Sequence, residues 1–351
     1  MTGFWRGRSV LITGHTGFKG SWLAHWLLSR GAEVHGLALA PDTSPALFDQ
    51  LGLAARLDHA LGDIRNEAVV RRRVAEVQPD VVFHLAAQPL VRRSYREPVA
   101  TFATNVMGTA HLLDAVRELA REVALVVVTT DNVYENDERE HAYRETDRLG
   151  GHDPYSASKA ACELVAESYR KSFFGDGRVR LATARAGNVI GGGDWAEDRL
   201  IPDLVRAAIS GTPLVVRNPD AVRPWQHVLD PLAGYIRLAE KLAQGAPGAT
   251  DAFNFGPGAT EQHRVREVLE VATGHWPCSW QETSDPGAPH EAGQLTLATE
   301  KVKATLGWAP RWSFEDAVRH TIAWYRAVQE GADPVAVTTG QIEAFEGASA
   351  S

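Results

Sequence analysis

Short apolar runs alternate with longer mixed segments through the first half of the chain. Ser9–Thr13 (SVLIT), Glu33–Leu39 (EVHGLAL), Val81–Ala87 (VVFHLAA) and Leu125–Thr130 (LVVVTT) are too short for helices, rich in Val and Leu, and end near Gly, Thr or Ala. They read as strands buried on both faces. The intervening Gly20–Arg30, Asn66–Val77 and Pro98–Ala120 carry helical spacing, and a further helix begins near Pro154, followed by a strand over Arg180–Ile190. Strand, helix, strand in repetition predicts an α/β fold with a doubly wound parallel sheet. After Gly191 the pattern changes. Glycines 191–193 and prolines 202, 213, 219, 224 and 231 punctuate shorter elements, with helices expected near Leu200–Ser210, Pro231–Leu242, Val265–Ala272 and Phe314–Val328. Residues 1–187, with a return segment near 225–250, are expected to form the first domain. Residues 188–351 are expected to form mainly a smaller mixed α/β domain, with a small, polar, frayed tail from about Gly340.

Composition narrows the classes. Across 351 residues, 36 basic and 44 acidic side chains leave a net charge of −8, and no Lys/Arg run resembles a nucleic-acid arm. No nucleic-acid role is expected. The two cysteines, Cys162 and Cys278, lie far apart with no Cys/His cluster, so no metal is expected and a reducing compartment fits. No stretch approaches 18 apolar residues, and the first residues lack the apolar core of a secretion signal. The expectation is a soluble, cytoplasmic protein with no membrane role.

Directly after the first strand stands TGHTGFKG, which places Gly14, Thr16, Gly17, Phe18 and Gly20 between a strand and a helix. Gly14 permits the tight turn, Gly17 lets backbone N–H groups approach a pyrophosphate, and Gly20 allows close helix–sheet packing. The following helix turns its positive N-terminus to the phosphates. A Rossmann-type dinucleotide domain follows. Asp42 is the first carboxylate after the second strand and no Arg or Lys lies beside it, which points to NAD rather than NADP. Asp63, next to Ile64, either accepts from the adenine amino group or caps the helix that follows. Ala86, Ala87 and Gln88, just past the third apolar strand, sit where such sheets hold a cofactor. His84, inside that strand, reads as a packed core histidine.

Tyr155 and Lys159 stand four apart in PYSASK, on one face of the helix begun at Pro154. An ammonium beside a phenol favours the phenolate, which would lower the Tyr155 pKa and make an acid/base group. Together with HLAAQPLVRRSY, TTDNVYEN, RAGNVIGGGDWAEDRLIPD and VRPWQHVLDPL, these motifs resemble the extended short-chain dehydrogenase/reductases, from about Trp5 to Trp324. Within that superfamily they are most similar to the CDP-glucose 4,6-dehydratases.

The resemblance implies a redox-neutral lyase acting on a nucleotide sugar, with NAD regenerated each turnover. Tyr155, with Lys159 and Thr130, would take the C4 hydroxyl proton as hydride passes from C4 to NAD. The C4 ketone then acidifies the C5 proton, water leaves across C5 and C6, and hydride returns to C6. Asp131 would be the acid for the departing hydroxyl. Family members carry Lys at position 132 as the base at C5, or Glu in the thymidine-nucleotide enzymes, whereas this chain has Asn132. A carboxamide has no useful proton acceptor. Glu135 or a water held by Asn132 could serve. Alternatively, turnover is impaired, or the chemistry stops at C4 as in a 4-epimerase or C4 dehydrogenase. A nucleotide sensor without turnover is the non-enzymatic rival.

By motif match, Asn188, Leu200, Arg217, Arg223 and His290 would hold the nucleotide sugar, Arg being suited to bidentate phosphate contacts. Glu291, beside His290, was weighed with it. The resemblance also implies a homodimer through the helices containing Met107–Ala120 and Pro154–Phe174. The ten tryptophans are expected to be mostly core or interface residues.

Overall fold

A computed structural model describes residues 3–137, 141–258, 261–283 and 294–348. The apolar runs become β1 (Ser9–Thr13), β2 (Glu33–Ala38), β4 (Val81–His84) and β5 (Val123–Thr129). They are joined by β3 (Asp58–Leu61), β6 (Val179–Arg185) and a short strand, Ala252–Asn254. All seven are parallel in one sheet, ordered Ala252–Asn254, β6, β5, β4, β1, β2, β3. The order reverses between β1 and β4, so the crevice beyond their carboxyl ends is the place where such a sheet receives a ligand. Every residue of β4 and β5 is buried, which explains the unbroken Val/Leu runs.

Helix α1 (Phe18–Ser29) follows the glycine turn and buries Trp22, Leu23 and Trp26. The expected Pro98–Ala120 helix runs to Arg117, with a widened π turn at Ala103–Met107. The Pro154–Ser172 helix is started by Asp153, whose carboxylate accepts from the Ser156 backbone N–H at 2.9 Å, with Pro154 at the first position. The expected Arg180–Ile190 strand divides. It breaks after Arg185 and resumes at Val189–Ile190, because Asn188 is left-handed (φ 46°) and Gly187 lies against Asp131.

The return of the chain to the sheet is real. The Leu229–Ala243 helix packs on β5 and β6, and Ala252–Asn254 adds to β6. The frayed tail is not. Pro334–Gly347 is a helix capped by Asp333, and its Ile342 and Phe345 are buried. Phe345 packs edge-on to Trp26 and Trp312, and Glu346 accepts from the Trp26 indole at 2.7 Å. Two apolar residues three apart were enough to dock a helix whose other positions are small and polar. Trp5, Trp22, Trp26 and Trp324 are among the largest fully buried side chains, as expected of core tryptophans.

Candidate active site

A cleft of about 410 Å³ opens at the carboxyl ends of β1, β4 and β5. It brings together Gly14, Thr16, Gly17, Phe18 and Gly20, then Asp63 and Ile64, then Ala86, Ala87 and Gln88, and finally Tyr155 and Lys159. The loop is shaped for close approach. A Cβ on Gly14, which has φ 78°, would stand 2.6 Å from the Ala86 nitrogen, and one on Gly20 would stand 2.2 Å from the Gly14 carbonyl oxygen. At Gly17 a Cβ would meet only the Gly14 carbonyl oxygen, at 3.5 Å, leaving its backbone open toward a phosphate. These residues fit a dinucleotide.

Several loop side chains are occupied within the protein. Thr16 donates to the Leu39 carbonyl at 2.9 Å. Asp63 does not cap the next helix, which Asn66 does; instead it takes a forked contact from Arg65, at 2.8 and 2.5 Å. That guanidinium holds the Asp63 carboxyl below the usual range. Gln88 is clamped by Asn105 of the π turn, which accepts from the Gln88 N–H at 2.8 Å and donates to its carbonyl at 3.1 Å. His84 is a buried core histidine. Thr109 spends its proton on the Asn105 carbonyl, so His84 Nε2 donates to Thr109 and Nδ1 accepts from Thr13.

The reactive groups sit where β5 ends against the Pro154–Ser172 helix. Thr130 is hydrogen-bonded to the Tyr155 phenol and donates to Asp131 Oδ1 at 2.8 Å. Asn188 donates to the other Asp131 oxygen at 3.3 Å. A Cβ on residue 187 would lie 1.8 Å from Asp131 Oδ2, so only glycine leaves room for the carboxyl there. Burial pushes the Asp131 pKa up, against the Thr130 hydroxyl and the Arg223 charge, which favours a carboxyl that keeps its proton.

One expectation fails here. Burial raises the Tyr155 pKa to about 12, opposed by the Thr130 hydrogen bond. The Lys159 ammonium donates to the Val128 carbonyl at 3.0 Å, so it is engaged by the backbone of β5 instead of sharpening the phenol.

Asn132 donates to Thr130 Oγ1 at 3.3 Å and to Asp131 Oδ1 at 3.1 Å, so its amide is committed to the acid side. Glu135 is no substitute base. It pairs with Arg148 at 2.9 Å, is half-exposed, and does not line the cleft.

On the substrate side the placements are mixed. Asn188 reaches Asp131. Arg223 donates to the Val222 carbonyl at 2.9 Å, and its charge still acts on Asp131. Arg217 lies 3.4 Å from Asp198, a left-handed residue (φ 58°) that Arg92 also approaches at 3.8 Å. Leu200 does not line the cleft. It begins the Leu200–Ser210 helix and packs on the main core, while Arg199 faces the cleft and pairs with Asp194 at 2.9 Å. His290 and Glu291 lie outside the described residues. Sequence reading missed Lys19, Trp195 and Arg199, all of which line the cleft. Among the described residues, no group of three or more His, Cys, Asp or Glu side chains could hold a metal ion.

A glycine-turn cleft, a tyrosine and lysine one helical turn apart, and a buried acid beside them define a dehydratase of the short-chain dehydrogenase/reductase type. The sequence model of the GDP-mannose 4,6 dehydratase family matches residues 11–321, and the chain belongs to that family. It is 43% identical over 349 residues to the CDP-glucose 4,6-dehydratase of Salmonella typhimurium, with 97% of each chain covered. Among solved structures it resembles a dTDP-glucose 4,6-dehydratase from Streptomyces venezuelae, solved with NAD bound. That match has a TM-score of 0.78 at 28% identity and covers 93% of this chain and 99% of the other. A Thermus thermophilus UDP-glucose 4-epimerase in complex with NAD gives 0.75 at 28% identity, covering 90% and 98%.

Proposed function

We propose that the protein is an NAD-dependent nucleotide-sugar 4,6-dehydratase that converts CDP-glucose to CDP-4-keto-6-deoxyglucose. The observation that carries this reading is the continuous hydrogen-bonded wall Tyr155–Thr130–Asp131 at the mouth of a dinucleotide cleft. A 4-epimerase or C4 dehydrogenase needs the phenol but has no use for a buried acid held in protonated form next to it.

Gly14, Gly17 and the N-terminus of α1 would hold the NAD pyrophosphate, Asp63 and Ile64 would face the adenine end, and Lys159 would face the nicotinamide ribose. When bound, NAD supplies a hydride acceptor for C4, a donor for C6, and a positive charge near Tyr155. Tyr155 takes the proton of the C4 hydroxyl, and that charge opposes the burial that otherwise keeps the phenol protonated. Asp131 gives its proton to the departing C6 hydroxyl, which leaves as water. Each turnover therefore leaves Tyr155 one proton richer and Asp131 one poorer. Thr130, bonded to both, is the path that resets them. Asn188, Arg217 and Arg223 would bind the nucleotide diphosphate.

Domain roles follow. Residues 1–187 with the return near 225–250 hold the cofactor, and most of 188–351 holds the sugar nucleotide. Val99 (81% exposed) and Met107 of the 98–117 helix, with Leu164 (61% exposed) of the Pro154–Ser172 helix, support a homodimer through these helices. No described helix is long and apolar enough to cross a membrane. We assign the protein to the cytoplasm, in keeping with its two free cysteines.

The test is incubation with NAD and CDP-glucose, following the absorbance that a 4-keto-6-deoxy sugar develops in strong base. Product is expected from CDP-glucose, and exclusive formation of a C4 epimer would overturn the reading. Tyr155→Phe should lower turnover by about 10²–10⁴-fold with the fold intact.

A further inference from the structure

Asn132 leaves the C5 proton without an obvious acceptor, because its amide is spent on Thr130 and Asp131 and Glu135 faces Arg148. One amine remains. Lys19, the second residue of α1, lines the same cleft as Tyr155 and Arg199. No hydrogen bond or ion pair joins its ammonium to another described residue. Its charge is felt together with those of Arg199, Asp131, Lys159 and Asp194, which places it in the reactive cluster opposite the acid.

We propose that Lys19 is the base that removes the sugar C5 proton, in place of the group absent at position 132. The proposal rests on the dehydratase reading above. In the step, the C5–H proton passes to the Lys19 amine, and the C5–H electron pair forms the enolate of the C4 ketone. The enolate then expels the C6 hydroxyl, which takes the Asp131 proton and departs as water. The ammonium so formed holds a proton for return to C5 when C6 is reduced. Burial, reinforced by Arg199, lowers the Lys19 ammonium to about 7, so a large fraction is neutral near neutral pH; Asp131 and Asp194 oppose this and Lys159 adds to it. Base and acid thus approach the sugar from two walls of one cleft, with Asn132 helping to fix the acid.

The experiment compares Lys19→Met and Lys19→Gln with the unaltered protein, each saturated with NAD as judged by fluorescence titration. CDP-glucose is added in D2O, and three readouts are followed: reduced-cofactor absorbance, dehydrated product, and deuterium at C5. With Lys19 replaced, C4 oxidation is expected to persist and reduced cofactor to accumulate. Product and C5 deuterium should fall by about 10²-fold or more. Adding Asn132→Lys to Lys19→Met should restore product at least roughly tenfold, which a purely cofactor-binding lysine would not allow. The assignment is overturned if either variant incorporates deuterium at the unaltered rate. It is equally overturned if oxidation and elimination fall together in step with NAD affinity. No dehydrated product from the unaltered protein would overturn the dehydratase reading itself, a distinguishable result.

Discussion

Two ion pairs in this molecule look alike on paper and do different work. Glu163 and Arg185 meet at 2.8 Å between the Pro154–Ser172 helix and β6, both 4% exposed. Thr129 and Thr183 donate to the same carboxylate, and Tyr134 accepts from the guanidinium. Arg217 and Asp198 meet at 3.4 Å at the substrate rim, about a third exposed. The first pair lies one turn beyond Lys159 and ties the catalytic helix to β5 and β6. The second has water on one side and a single-oxygen contact. Burial makes the first pair structural, and exposure leaves the second free to trade its carboxylate for a phosphate.

The comparison can be sharpened from its buried side first. The catalytic half also buries neutral histidines: His15 and His84, each lowered to about 3 by burial, while burial holds His227 well below its ordinary range. The unfolded chain takes up these protons near 6.5, which the folded state refuses, so stability is present above that pH and lost as pH falls below it. Thermal unfolding at pH 5 against pH 7 should show a loss of several kcal/mol, on the order of 1.4 per pH unit for each such histidine. An unchanged transition would contradict their burial. Next, Glu163→Gln should cost about 3–5 kcal/mol in chemical denaturation, since it strands a buried guanidinium. Smallest in stability is Arg217→Ala, expected within about 1 kcal/mol of the parent. Its effect belongs to binding: KM for CDP-glucose should rise with kcat nearly unchanged, and an equal fall in kcat would assign Arg217 a different role.

The same contrast explains what the sequence made legible. β1, β2, β4 and β5 are continuous apolar runs, and the glycine turn and Tyr155–Lys159 pair are local motifs, so the cofactor end could be read along the chain. The return strand Ala252–Asn254 has three residues, too few for any periodicity. Asp198 and Arg217 meet across 19 positions, and no spacing rule joins them. Lys19 was hidden in plain view. Inside TGHTGFKG the glycines draw the reading, and the lysine shows its chemistry only once Asp131 and Arg199 are folded around it. The Tyr155 pKa was misjudged because a four-residue spacing says which side chains share a helix face. It does not say that Val128 will claim the ammonium.

The clasp of Phe345 and Glu346 on Trp26 has a consequence for synthesis. A chain emerging from the ribosome completes β1, the glycine turn and α1 early, yet the outer flank of α1 stays greasy until more than 300 further residues have been added. The nucleotide pocket is thus among the first parts encoded and among the last to be sealed.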